Sequence, residues 1–227
     1  MEREVLFRPI ATVETDFKEK FGIPRQSGRV KEARGRIVFL PEFRNPDAVR
    51  ELSGFSHIWL LFDFSLAHRE GFTPTVRPPR LGGNRHVGVF ASRSPFRPNP
   101  IGLSSVRLLS VREEGELGPV LYVAGVDLLD GTPLFDIKPY LPFSDSHPEA
   151  TAGYAGEGEG HRLTVRLAEG VKPPFGGAQL NTLLAALAED PRPSYQEDPE
   201  RIYRMRYANC EVLFTVSGNS LTVIGFL

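Results

Sequence analysis

The sequence predicts a mainly β protein: an N-terminal β-barrel over residues 1–148, then a linker and a small α+β unit over residues 160–227. Two observations predict the barrel. Short apolar and β-branched runs at 5–13, 35–40, 58–64, 86–91, 103–111 and 120–126 are separated by Gly- and Pro-rich segments, the pattern of strands and turns. With 22 Gly and 20 Pro in 227 residues, this part has few stretches that favour long helices. So many strands with irregular connections favour closure, because a closed sheet leaves no edge open to another chain.

The elements follow in order. Residues 47–52 suit a short helix, with Asn45 as N-cap and Pro46 at the first helical position. Trp59, with Phe62 and Phe64 in the same run, reads as barrel core, as does His57 at the start of that run. Residues 145–160 exchange apolar runs for Ser, His, Gly and Glu and read as the linker. Beyond it come a strand at 162–167 and a helix in which Leu180, Leu183, Leu184 and Leu187 fall on one face, stopped by Pro191. Residues 211–216 and 221–226 alternate about Gly218-Asn219 and read as a terminal hairpin.

Composition narrows the chemistry. The lone Cys210 rules out an internal disulfide framework, and no Cys/His cluster has zinc spacing, so no metal is expected. The start, Met1-Glu2-Arg3-Glu4, lacks the layout of a signal peptide, and no run is long and apolar enough to span a bilayer; a cytoplasmic protein with no membrane partner is expected. There is no dinucleotide-binding glycine fingerprint after a strand, no phosphate-binding P-loop, no serine nucleophile elbow and no zinc-protease helix motif. The formal net charge of −1 argues against a nucleic-acid partner, yet from Gly71 to Arg112 there is no Asp or Glu, while Arg77, Arg80, Arg85, Arg93, Arg97, Arg107 and Arg112 all fall there. Salt bridges to distant acids would account for such a stretch; an anion-facing surface is the other reading.

Four segments hold more Gly, Pro, Arg and Asn than strands require, at 22–28, 77–84, 92–103 and 127–133. Prolines fix φ, so these loops can keep backbone amides and guanidinium groups aimed at a ligand. Arg93 and Arg97 stand four apart among Pro95, Pro98 and Pro100, beside Gly102, which suits a rigid anion clamp. Asp130-Gly131 by itself also fits an ordinary turn. His68, His147 and His161 read as loop residues, and His86, beside Arg85, as a phosphate neighbour at most.

These loops resemble the TsaA-like (TrmO) family, whose characterised members are S-adenosylmethionine (SAM)-dependent tRNA (adenine-N6)-methyltransferases. The motifs that carry the resemblance are Pro24-Arg25-Gln26, Gly54-Phe55-Ser56-His57-Ile58-Trp59, the segments 77–83 and 90–102, Asp130-Gly131-Thr132-Pro133 and Asp136-Ile137-Lys138-Pro139-Tyr140. Asp190-Pro191-Arg192-Pro193-Ser194-Tyr195 extends it into the C-terminal unit. The resemblance implies a SAM-binding barrel in place of a Rossmann fold, a homodimer, and methylation of N6 on threonylcarbamoyl-adenosine (t6A) at position 37, in the anticodon loop of tRNA. By motif position the SAM pocket draws on Arg25, Gln26, Ser27, Arg93, Leu103, Asp130, Gly131, Thr132 and Pro133. Ser65 and Leu66 also belong there, although related sequences often carry a more polar pair at these positions. Asp130 and Asp136 are the candidates for a general base. Arg97 is the candidate partner of the threonyl carboxylate, and Arg77, Arg80, Arg85 and Arg192 those of tRNA phosphates. Methyl transfer to another acceptor, and a non-catalytic RNA-binding barrel, are the alternatives that residues alone leave open.

Overall fold

The computed structural model describes residues 5–78, 85–156, 160–193, 196 and 198–227. Its strands, in chain order, are β1 (Ala11–Thr15), β2 (Arg34–Phe39), β3 (His57–Asp63), β4 (Thr75–Val76), β5 (Val87–Gly88), β6 (Ile101–Glu113), β7 (Pro119–Ala124), β8 (Thr132–Pro139), β9 (Thr164–Leu167), β10 (Tyr203–Tyr207), β11 (Cys210–Ser217) and β12 (Ser220–Phe226). Six of them close a barrel in the spatial order β1-β2-β7-β6-β3-β8, antiparallel throughout, and β8 returns to β1 with Val13 opposite Thr132. The protein is therefore mainly β, with the closed barrel that the sequence predicts.

Alternation along the strands fills the barrel: β3 buries Ile58, Leu60 and Phe62, and Val13, Ile37, Val106, Leu121 and Leu134 join them from the other walls. Trp59 and His57 fall on the opposite parity, so neither is barrel core. Trp59 Nε1 instead donates to Asp145 Oδ2 at 2.9 Å, and His57 is exposed. The expected helix at 47–52 is a 3-10 turn, Pro46–Val49, capped by Asn45, whose side chain accepts from the Asp47 N–H; Glu51, at φ +65°, breaks it. Of the run 86–91 only β5 is strand, and it pairs with β4 in a two-stranded ribbon outside the barrel.

Pro142–Asp145 forms a helical turn, α1. The C-terminal part is a four-stranded sheet ordered β10-β11-β12-β9, with β12 and β9 parallel, and the helix α2 (Gly177–Ala188) buries Leu183 and Leu187 against it. The terminal hairpin turns at Gly218-Asn219, between the paired Ser217 and Ser220. A cluster of buried side chains runs from the barrel into this sheet. Phe17, after β1, meets Tyr207 of β10 edge-on with ring centroids 5.6 Å apart, both fully buried, and the Ala208 N–H donates to the Asp16 carbonyl at 2.7 Å. Each such ring contributes roughly 1.5–3 kcal/mol by burial.

The ends of β1, β3 and β7 and the starts of β2, β6 and β8 share one end of the barrel, so three of the four unusual loops open there: 22–28, 92–100 and 125–131. At this mouth Gly102 lies against Phe62; a Cβ on it would stand 2.2 Å from the Phe62 ring. Gly102→Ala should therefore displace that buried ring and cost about 1–3 kcal/mol by overpacking, read as a lower urea midpoint at an unchanged m-value.

Candidate active site

At the mouth the end of β3, the start of β8 and the loops before β2, β6 and β8 surround a cavity of about 300 Å³. Its walls are mostly apolar: Ile23, Phe62, Phe64, Leu128 and Leu129, with Pro95 and Phe96 from the arginine-rich loop. Ser65, Leu66 and Thr132 also line it. The turn into β8 is fixed from below: Asp130 Oδ1 accepts the Thr15 N–H at 2.9 Å, Asp130 Oδ2 pairs with Lys18 Nζ at 2.9 Å, Gly131 takes φ +76°, and Thr132 Oγ1 donates to the Leu129 carbonyl at 2.6 Å. The loops at 22–28 and 125–131 are joined by a bond from the Gly28 N–H to the Gly125 carbonyl, 2.9 Å.

Three charged side chains reach the cavity. Lys20 Nζ donates to the Leu66 carbonyl at 2.9 Å, and Asp63 Oδ1 pairs with His68 Nε2 at 2.6 Å. Asp127, by contrast, has a buried Oδ1 with no hydrogen-bond partner among the described residues. Burial pushes its carboxyl above the usual carboxylate range; the Ser104 hydroxyl, the backbone N–H groups of Asp127 and Ser27, and the charge of Arg93 pull it back without cancelling the effect. Asp127 is the functional candidate that the sequence reading passed over. Its signal was position: an acid directly after the apolar run 120–126, where a strand ends at the mouth.

The arginines and the other candidates divide by what they already hold. Arg93 bonds Gln26 Oε1, and Gln26 Nε2 donates to the Arg25 carbonyl at 2.6 Å, which places Gln26, Ser27 and Arg93 beside Asp127. Arg25 reaches the other way: its Nη2 donates to the carbonyls of Asp190 and Arg192, each at 3.0 Å. Arg192 is paired with Asp190 through two 2.9 Å contacts and is nearly buried, so it braces the C-terminal loop. Arg97 Nη1 holds the carbonyls of Ser92 and Ser94 in its own loop. Arg77 Nε meets His86 at 2.9 Å, and Arg85 lies over the Tyr154 ring at 5.8 Å. Arg80 lies outside the described residues. Leu103 is 54% exposed on the outer face of β6, and Pro133 sits within β8 opposite Thr12. Asp136 lies further along β8, beside a second cavity lined by Phe39 and Phe43, and is paired with Lys138 at 2.8 Å.

Two family models match the chain: the tRNA-methyltransferase O N-terminal domain over residues 12–146, and the TrmO C-terminal domain over residues 173–226. The chain belongs to the TrmO family. It is 44% identical over 200 residues to the tRNA (adenine(37)-N6)-methyltransferase of Escherichia coli K12, covering 86% of this chain and 85% of that one. It is 48% identical over 169 residues to the enzyme of the same name from Eikenella corrodens, covering 71% and 91%. The crystal structure of TrmO from Pseudomonas aeruginosa superposes with a TM-score of 0.79 at 31% identity, over 99% of this chain and 100% of that one.

The Asp190–Arg192 pair gives this TrmO-family chain an acid-sensitive element. Burial raises the Asp190 carboxyl, but the hydrogen bonds and charge of Arg192 outweigh it and hold the group below its usual range. A depressed folded pKa means the contribution is complete above the unfolded value near ~4 and is lost as pH falls through the lower folded value. Asp190→Asn should therefore lower stability at neutral pH and flatten the acid limb of the urea midpoint plotted against pH.

Proposed function

We propose that this chain methylates N6 of t6A at position 37 of tRNA, with the methyl donor held in the cavity at the barrel mouth. That it is a SAM-dependent tRNA adenine-N6 methyltransferase rests on its family and on the relatives it matches. The observation that carries the site assignment is the mouth cavity itself: an apolar chamber built from the family's own loops, with one buried carboxylate oxygen that lacks a hydrogen-bond partner among the described residues. That combination fits a ligand that joins flat and aliphatic parts to donors and a positive charge, as SAM joins its adenine and methylene groups to hydroxyl and amine donors and a sulfonium.

SAM supplies an electrophilic methyl group on sulfur. The chain's contribution is positional. Phe62, Phe64 and Leu128 exclude water, while the bonded loops at 22–28 and 125–131 present backbone donors and acceptors in a fixed frame, so the rate gain comes mainly from alignment. N6 of t6A bears an acyl substituent that withdraws electron density and eases loss of its proton, so a strong base is unnecessary. Asp136 stands at the other cavity and Asp130 is held by Thr15 and Lys18, so neither is assigned that role.

Arg77 and Arg85, just after β4 and just before β5 of the ribbon, are proposed to contact tRNA phosphates, and an unpaired anticodon-loop base can be splayed into an open mouth at low cost. Arg97 is proposed to face the threonyl carboxylate while bracing its own loop. Residues 1–148 would then supply the chemistry, and the unit at 160–227 would hold the loop at 22–28 through Arg25. Exposed Leu66, Phe72, Phe90, Phe96 and Leu103 lie on or near the mouth side, an apolar surface suited to a second copy of the chain. Among the described residues no helix is long and apolar enough to cross a membrane; the cytoplasm, where tRNA resides, is the proposed location.

Labelled SAM incubated with tRNA pools that carry or lack t6A, followed by nucleoside mass spectrometry, should place label on that nucleoside in the modified pool only. Label on unmodified adenosine, or none in either pool, overturns the acceptor assignment. Arg97→Ala should lower transfer to the modified pool; equal binding of both pools by the variant and the wild type would remove the clamp role. Phe90→Asp should shift the sedimentation of the wild-type dimer toward the monomer, and a monomeric wild type would overturn the dimer.

A further inference from the structure

Of the three charged side chains lining the mouth cavity among the described residues, Lys20 and Asp63 are engaged, by the Leu66 carbonyl and by His68. Asp127 keeps Oδ1 buried and without a hydrogen-bond partner among the described residues. The arginine that influences it, Arg93, directs Nη1 to Gln26. Phe62 and Phe64, packed edge to face at 5.1 Å, form the adjacent apolar wall. A buried carboxylate beside aromatic rings is costly by itself and becomes favourable when a cation arrives, because the charge is paired and the rings attract it as well.

We propose that Asp127 is the counter-charge for the donor's sulfonium, so that the pocket distinguishes charged SAM from its neutral demethylated product, S-adenosylhomocysteine (SAH). The inference rests on the placement of SAM in the mouth cavity. Methyl transfer moves CH₃ from sulfur to N6; the electron pair of the broken C–S bond stays on sulfur, and N6 releases one proton to solvent. The positive charge facing Asp127 is thereby removed, and its Oδ1 is again buried without a partner among the described residues. The product is held less tightly than the donor, and turnover itself weakens the hold on the spent ligand.

The pocket should also bind its two ligands with different pH dependence. The carboxyl of Asp127, raised by burial, is neutral below its pKa and a carboxylate above it. SAM affinity should rise with pH through that value and level off, while SAH affinity should not follow it. The other charged groups around the site are Lys20, Asp63 with His68, Arg93, and Asp130 with Lys18 on the same turn. Any of these that titrates acts on both ligands, apart from its effect on the sulfonium charge, and SAH serves as the control.

The test is calorimetric titration of the full chain with SAM and with SAH, for the wild type, Asp127→Asn and Phe64→Ala. The wild type should prefer SAM by about 10-fold or more, and Asp127→Asn should cut SAM affinity by about that factor while SAH stays within about twofold. Equal losses for both ligands would show that Asp127 meets a donor common to the two, such as the adenine amine, and overturns the inference; so does an unchanged SAM affinity. Should the variant fail to fold, the wild-type pH series decides: parallel SAM and SAH curves overturn it. Failure of the site assignment looks different, since Phe64→Ala would then leave both affinities unaltered.

Discussion

The pairing of β8 with both β1 and β3 is the constraint on which the rest of the structure depends. Leu134 stands opposite Phe62 on one side and Ala11 on the other, and without this strand the sheet would end in two open edges. Closure does more than remove edges. In an antiparallel barrel alternate connections fall at opposite ends, so the loops after β1, β3 and β7 are forced to one mouth although they are separated by long stretches of sequence. The site is thus a consequence of strand order.

Convergence would be of little use if the loops moved independently. Gly28 and Gly125 approach so closely that a Cβ on Gly125, itself at φ +77°, would lie 3.3 Å from the Gly28 backbone, and the Gly28 N–H bonds the Gly125 carbonyl across that gap. From the other side the C-terminal part grips the same loop. Arg25 donates to the carbonyls of Asp190 and Arg192, and Arg29 meets the buried Glu189, which also holds Arg162 at 2.8 Å. The loop at 22–28 is therefore a wall shared between the barrel and the C-terminal sheet. The motifs at Pro24-Arg25-Gln26 and Asp190-Pro191-Arg192, far apart in sequence, are bonded to each other through Arg25.

Local pattern told β2, β3, β6, β7, β9 and the terminal hairpin well, because alternation and Gly-Asn are short-range signals, while the run 5–13 meets β1 only at 11–13 and the run 86–91 is strand only at β5. It misplaced Trp59, since β3 carries large apolar side chains on both faces and period-two alternation does not say which face is inside. It gave β8 no strand and β10 none: Pro133, Asp136, Lys138 and Pro139 are poor strand formers, and β8 is held by partners 72 to 123 residues earlier in the chain, from Phe62 opposite Leu134 to Ala11 opposite Leu134. The loops that build the mouth were legible as loops. What their side chains face was not, because Arg25 finds its acceptors 165 and 167 residues away and Asp127 is defined by what surrounds it, not by its neighbours in sequence.

The acid-free stretch of arginines now divides into two kinds. Arg97 and Arg93 hold carbonyl and amide oxygens and so give the mouth its shape, while Arg77 meets the His86 ring and Arg85 lies over the Tyr154 ring, away from the cavity wall. Stability alone would not favour placing exposed Phe72 and Phe90, and a buried Asp127 oxygen without a hydrogen-bond partner among the described residues, toward one end of a barrel. The first is unfavourable in the isolated chain as exposed apolar surface, the second as a desolvated polar group. A second copy of the chain would relieve the first and a cationic donor the second. Two separate penalties in one region, each with its own remedy, fit a surface arranged to assemble around its ligands.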